Sequence, residues 1–165
     1  MFYVRGKYWV VVDKIATDRP RKIETLWHWH PLCRTNISGK QIVTGQNDGG
    51  FLHVIPVSPA NPTISMIKGQ ETPFIQGWYS KAYNSYTPNT VSIYATDIQK
   101  ETAFVWLLYP SKIQNTTIEA KILSENKDGL ILQVTHPIEG QWTLTIPYTN
   151  SNKASIVSVG ASYAP

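Results

Sequence analysis

Ile118-Glu119-Ala120-Lys121-Ile122, then Leu130-Ile131-Leu132-Gln133-Val134, then Trp142-Thr143-Leu144-Thr145-Ile146: these three runs decide the fold. In each, large apolar residues sit two apart. In the first and third, charged or hydroxyl residues fill the gaps. Successive side chains of an extended backbone point to opposite faces, so this period of two is the mark of a strand with one buried side. Asn126-Lys127-Asp128-Gly129 and Pro137-Ile138-Glu139-Gly140 separate the runs and carry turn chemistry. With Ile156–Val159 added, the last third predicts a four-strand antiparallel meander with one apolar face.

The same period extends towards the amino terminus. Tyr8, Val10 and Val12 alternate with Trp9, Val11 and Asp13. Ile23, Thr25, Trp27 and Trp29 share one face of residues 23–30, leaving Glu24, Leu26, His28 and His30 on the other. Phe51–Val57, Thr63–Lys68 and Val91–Ile98 are further predicted strands, and Thr102–Tyr109, apolar on both faces, suits a central strand covered on both sides. No window shows a convincing helical period, and 11 prolines and 10 glycines punctuate the chain at short-strand intervals. The predicted architecture is all-β: an antiparallel β-sandwich of two stacked sheets with about 10–12 strands, little or no helix, and one domain over residues 1–165. Ser80–Asn89 is the longest predicted loop.

Composition narrows the function classes. With 42% apolar and 16% charged residues, the chain can bury a core and does not read as disordered. The net charge of +4 is spread out, with one cluster at Arg19-Pro20-Arg21-Lys22. A nucleic-acid partner is not expected, because no basic stripe is formed. That cluster reads first as a solvated turn and second as a contact for uronate or sulfate groups. Cys33 is the lone cysteine, so an intrachain disulfide, a zinc ribbon and a CxxC redox site are all excluded. No run approaches the ~18 apolar residues of a membrane span, so no membrane partner is expected. Residues 1–7 show no secretion signal and already read as a strand, the pattern expected of a protein cut at an internal point.

Gln76-Gly77-Trp78-Tyr79-Ser80, with Tyr83-Asn84 and Pro88, stands out as aromatic, polar and kinked by glycine. One reading makes it an ordered cover for an end of the sandwich. The other makes Gln76, Trp78, Tyr79, Ser80, Tyr83 and Asn84 a contact surface for a glycan or a second domain, with rings against sugar C–H faces and polar groups on hydroxyls. His28 and His30 project from one strand face, a usable spacing for two metal ligands. A third ligand would have to come from His53, His136, Cys33, Asp13 or Asp48, so they remain weak candidates and no metal is assigned. There is no Gly-x-Ser-x-Gly elbow and no phosphate-cradling glycine loop. Tyr79, Tyr83, Tyr86, His28, Asn84 and Arg5 are residue types a polysaccharide lyase uses, but types alone set no catalytic geometry.

Tyr8-Trp9-Val10-Val11-Val12-Asp13, Leu26-Trp27-His28, Phe51-Leu52-His53-Val54-Ile55-Pro56, Lys68-Gly69 and Gly77-Trp78-Tyr79-Ser80-x-x-Tyr83 together resemble the carboxy-terminal β-sandwich region of heparinase II/III-like polysaccharide lyases. The resemblance implies a parent protein in which an α/α toroid pairs with the sandwich and uronate-containing polysaccharides, glycosaminoglycan or alginate, are cleaved by elimination. It implies zinc in the parent family but assigns none here. The family's catalytic Tyr and His, and its His-x-His metal motif, lie in the toroid or earlier in the sandwich, and match no position of this chain. The resemblance thus implies a non-catalytic segment whose partners are acidic polysaccharide or the missing toroid, in a periplasmic or secreted parent. A free-standing carbohydrate-binding module and a small metal-dependent β-sandwich enzyme built on His28 and His30 are the alternatives.

Overall fold

The computed structural model describes residues 1–46 and 49–159. Its strands are β1 (Phe2–Val4), β2 (Tyr8–Ile15), β3 (Arg21–His28), β4 (Arg34–Ser38), β5 (Gln41–Gly45), β6 (Phe51–Ser58), β7 (Thr63–Lys68) and β8 (Trp78–Ala82). They continue with β9 (Ser85–Pro88), β10 (Thr90–Ile98), β11 (Thr102–Ser111), β12 (Glu119–Asn126), β13 (Gly129–His136), β14 (Gly140–Pro147) and β15 (Ser155–Val159). A 3-10 turn at Ser151–Lys153 is the one helical element among the described residues. The all-β prediction holds, with 15 strands rather than about 10–12. The additional strands are short: β4 is a polar sheet edge and β8–β9 an isolated pair, where neither face has to be apolar, while five-residue β5 buries Ile42, Val43 and Thr44.

The backbone gathers into two compact units, one built on residues 3–114 and one on residues from 115 onward. The first is a sandwich. A six-stranded sheet ordered β1-β2-β11-β6-β5-β4 packs against a three-stranded sheet ordered β3-β10-β7, and the β8–β9 hairpin forms a separate ribbon. The second unit is the meander β12-β13-β14-β15. Its apolar face is the one read from sequence: Leu130, Leu132, Val134, Trp142, Leu144 and Ile146 are buried. The Asn126 side-chain oxygen accepts hydrogen bonds from the amides of Asp128 (2.8 Å) and Gly129 (3.2 Å), fixing the first turn. His136 Nδ1 accepts from Ile138 and Glu139 at the second. A bulge beside Ile122 takes up Leu123, which is exposed.

The core of the first unit is aromatic. Trp29, Ile42, Val54, Tyr94, Ile98, Phe104 and Trp106 form one buried cluster, joined at its margin by Ile23 and Trp27. Trp106 takes both Trp27 and Tyr94 edge-to-face, with ring centroids 5.8 and 4.9 Å away. Each such pair contributes about 0.5–1.5 kcal/mol beyond area burial. Tyr94 then crosses the sandwich. Its hydroxyl donates to the Val54 carbonyl at 2.9 Å and accepts from the Ile42 amide at 3.0 Å. Those two residues face each other on β5 and β6, so one phenol spans two strands of the opposite sheet. Burial raises the Tyr94 pKa far above the phenol range, so the group stays a neutral donor.

Central strand β11 is buried on both faces, as its composition implies: Phe104 and Trp106 point into the cluster, Val105, Leu107 and Tyr109 away from it. His53 lies on that second face beside Tyr109, fully buried, with its ring Nε2 3.4 Å from the Ile113 carbonyl and Nδ1 without a hydrogen-bond partner. Burial lowers its pKa below the ordinary 6.5, against the smaller upward pull of that carbonyl.

Two outcomes follow from these contacts. Tyr94→Phe leaves the Ile42 amide and the Val54 carbonyl without their cross-sheet partner and is expected to cost about 2–4 kcal/mol in urea denaturation. For His53, the unfolded chain takes up a proton more readily than the folded one. Its contribution is therefore complete above about pH 6.5 and is lost as pH falls towards the lowered folded value. Melting midpoints measured from pH 7.5 to 5 should fall less steeply in His53→Gln than in the parent chain.

Candidate functional site

The Gly77–Asn89 segment is not the loop expected over Ser80–Asn89 but a hairpin, β8 paired with β9. Tyr83-Asn84 forms its tip, with Ala82 opposite Ser85 and Asn84 in the left-handed region (φ 55) that asparagine tolerates. The turn was hidden because Tyr-Asn lacks the Asn-Gly signature and the strand residues beside it, 80–82 and 85–88, are exposed.

The base of the hairpin is locked by backbone. The Gly77 carbonyl accepts from the amides of Gly69 (3.0 Å) and Asn89 (2.8 Å), while Gln70 and Gln76 exchange a bridge at 2.9 and 3.0 Å. Gly77 has φ 81, and a Cβ there would lie 2.9 Å from the Gly69 nitrogen and 3.0 Å from the Asn89 oxygen. Asn89 is buried and its amide donates to the Trp29 carbonyl at 2.8 Å. The Trp29 indole donates in turn to Ser92 Oγ at 2.7 Å. A continuous polar chain thus ties the hairpin to the aromatic core. Sequence reading missed Asn89 and Ser92. Their signal is two small polar residues flanking Thr90-Val91 at the start of an otherwise apolar strand.

The predicted residues separate into two kinds. Trp78 is half-buried, its indole donates to the Gln70 carbonyl at 3.0 Å, and Tyr86 meets it edge-on at 5.2 Å. Gln76 turns its side chain back onto the Gly77 amide at 3.0 Å, and Ser80 Oγ donates to the Ala82 carbonyl at 3.0 Å. These three are committed to holding the hairpin. Tyr83, by contrast, is fully exposed at the tip, and Tyr86 is 70% exposed. Next to them the bridged Gln70–Gln76 loop presents Phe74 and Ile75, 61% and 77% exposed, a pair the sequence reading did not single out. The Gln70 side chain donates to the Phe74 carbonyl at 3.1 Å and braces that loop.

Tyr79 points to the hairpin's other face and meets His30 edge-on at 5.2 Å. His30 lies just beyond the end of β3, and its Nδ1 accepts from the Leu32 amide at 3.3 Å. No group of three His, Cys, Asp or Glu residues that could hold a metal occurs among the described residues. Asp48 lies outside them. His53 is buried with its Nε2 turned to the Ile113 carbonyl, and His136 Nδ1 is taken by its turn. Among the described residues, no third donor joins His28 and His30. The Arg19–Lys22 turn spends part of its charge locally: Arg21 pairs with Asp18 at 3.2 Å and Lys22 with Glu24 at 2.9 Å.

The family model described as heparinase II/III-like, C-terminal, matches residues 1–118, the extent of the first unit and the residues just after it. The chain belongs to that family. Among curated proteins none matches. Two solved structures of heparinase III, the BT4657 gene product, share the fold. One, with methylated lysines, has a TM-score of 0.64 and 16% identity; the other has 0.63 and 15%. Each match covers 96% of this chain and 22% of the heparinase III chain, so the sequence spans about a fifth of that enzyme.

Gly77→Ala is expected to loosen the hairpin base, since its Cβ meets backbone atoms that cannot yield. Gly39, with φ 61 but nothing within 4 Å of an added methyl group, supplies the comparison. Gly39→Ala should cost about 1 kcal/mol of left-handed strain. Gly77→Ala should cost roughly 2–4 kcal/mol from strain plus overpacking and abolish hydrogen-exchange protection at the Gly69 and Asn89 amides.

Proposed function

We propose that this heparinase II/III-like C-terminal chain is a non-catalytic part of a polysaccharide lyase. The end carrying the Trp78 hairpin and the Gln70–Gln76 loop is its contact face for the helical toroid domain of the parent. The supporting observation is the contrast within that end. Phe74, Ile75, Tyr83 and Tyr86 are exposed, while the backbone beneath them is tied into the core through Gly77, Asn89 and Trp29. Exposing four large apolar or aromatic groups on a rigid base is unfavourable unless a partner covers them. Orientation by backbone hydrogen bonds also keeps the entropy of docking low.

Sugar contact is a subsidiary role of the same rim. Trp78 is poorly placed for it, because Tyr86 packs its edge against the indole. Tyr83, fully exposed at the tip, is the ring free to stack on a pyranose. Elimination next to a uronate needs a base, an acid and a group that neutralises the carboxylate. Tyr79 and His30 meet in a T-shaped ring contact, and among the described residues no guanidinium or side-chain amide bonds to that pair.

The isolated chain is expected to release no unsaturated uronate, read by its ultraviolet absorbance, from heparin, heparan, chondroitin or alginate. Sustained turnover on any of them rejects the non-catalytic reading. Phe74→Ser with Ile75→Ser should change the isolated chain's stability by less than about 0.5 kcal/mol, both side chains being exposed. In the parent protein the same pair should split one calorimetric transition into two, as the domains uncouple. An unchanged single transition would rule out this face as the docking surface.

A further inference from the structure

A second feature of the first unit stands on strands other than those of the hairpin. Arg34 and Asn36 on β4 pair with Gly45 and Val43 on β5, and Gly45 pairs with Phe51 on β6. Directly paired residues share a face, so these five side-chain positions lie together on one side of the sheet edge. It is the side opposite the aromatic cluster, because Ile42 and Val54, which alternate with them, point into that cluster. With Gln46 and Gln114 they enclose a cleft of about 270 Å³.

The composition of this cleft is selective. Its described walls carry one guanidinium, three primary amides (Asn36, Gln46 and Gln114) and one aromatic ring, but no carboxylate. Buried Val43 and half-buried Gly45 line the floor. A Cβ on Gly45 would stand 2.7 Å from Phe51 Cδ1, so glycine is what lets the ring lie across the floor. Among the described residues, Arg34 makes no ion pair and no side-chain hydrogen bond, whereas Lys14, Arg21 and Lys22 each have an acidic partner. The three amides likewise make no side-chain hydrogen bond there. All four polar groups are exposed to solvent and none bonds to another, so their donors and acceptors face water and are open to a ligand entering the concavity.

We infer that this cleft binds one anionic sugar residue, a pyranose bearing a carboxylate or a sulfate. A guanidinium matches the planar, bidentate geometry of such an anion. The amides offer paired donors and acceptors to ring hydroxyls, and Phe51 supplies an apolar surface for a C–H face. The cleft lies near the lower bound of ligand-pocket volumes, the size for a single sugar unit of a longer chain. Holding the polysaccharide here would be an anchoring function, separate from the domain contact of the hairpin.

The test is titration of the isolated chain with three tetrasaccharides of one backbone: glucuronate-containing, its carboxyl-reduced neutral counterpart, and the neutral one carrying sulfate. Side-chain amide signals of Asn36, Gln46 and Gln114 should shift with an anionic tetrasaccharide. The neutral one should bind at least about tenfold more weakly. Arg34→Met should lose about tenfold or more in affinity for the anionic ligand, and Arg34→Lys less, because the charge remains while the fork is gone. Carboxylate or sulfate preference identifies the anion, and either supports the site. No binding of either anionic ligand, equal affinity for the neutral one, an Arg34→Met chain that folds and binds undiminished, or shifts confined to the hairpin would each overturn it. Because the amide shifts are read on the parent chain, the outcome does not depend on how the variants fold. A negative result here also leaves the toroid-docking test of the hairpin untouched.

Discussion

A single phenol hydroxyl fixes how the two sheets of the first unit meet. Tyr94 stands on the middle strand of the three-stranded sheet, reaches through the indole cluster and bonds to Ile42 and Val54 on facing strands of the other sheet. Hydrophobic burial is non-directional and would tolerate many offsets between the layers. A buried donor and acceptor that must both be matched tolerate few, because an unmatched backbone group in a dry interior is costly. The edge-to-face contacts of Trp106 with Tyr94 and Trp27 then reinforce one arrangement.

From that fixed core a second polar chain runs outward. Ser92 holds Trp29, the Trp29 carbonyl holds Asn89, and the Asn89 amide with Gly69 holds Gly77. Ser92, Trp29, Asn89 and Gly77 are all buried, so the hairpin is anchored on the interior of the sandwich although its own strands bury almost nothing. This explains how an end rich in exposed aromatics can have a defined shape. An isolated two-stranded ribbon is marginal in water, and here its geometry is imposed from below. Conformational entropy that a partner would otherwise have to remove has been removed by folding.

The two surfaces differ in kind. The hairpin end offers apolar and aromatic groups, suited to covering by protein. The β4–β5–β6 cleft offers a guanidinium and amides around one ring, suited to a charged, hydroxylated ligand. They stand on different strands of the same rigid unit, so neither requires the other in order to form. The residues matched by the family, 1–118, contain both.

The chain's alternation of large apolar and polar residues settled the strands, because a period of two can bury one face only when the backbone is extended. Thr102–Tyr109 announced a central strand by being apolar on both sides, and the meander from Ile118 onward was legible down to its turns. Gln76 to Asn84 drew notice as an unusual composition, yet its roles were not readable: whether Trp78 packs or binds depends on Gln70 and Tyr86, which only the folded chain brings to it. Asn89 and Ser92 gave almost no local signal, since their importance lies in partners about 60 residues away in sequence. The cleft was invisible for the same reason. Arg34, Gly45, Phe51 and Gln114 come from separate segments, and strand register, a property of pairing rather than of any one segment, is what sets them on a common face.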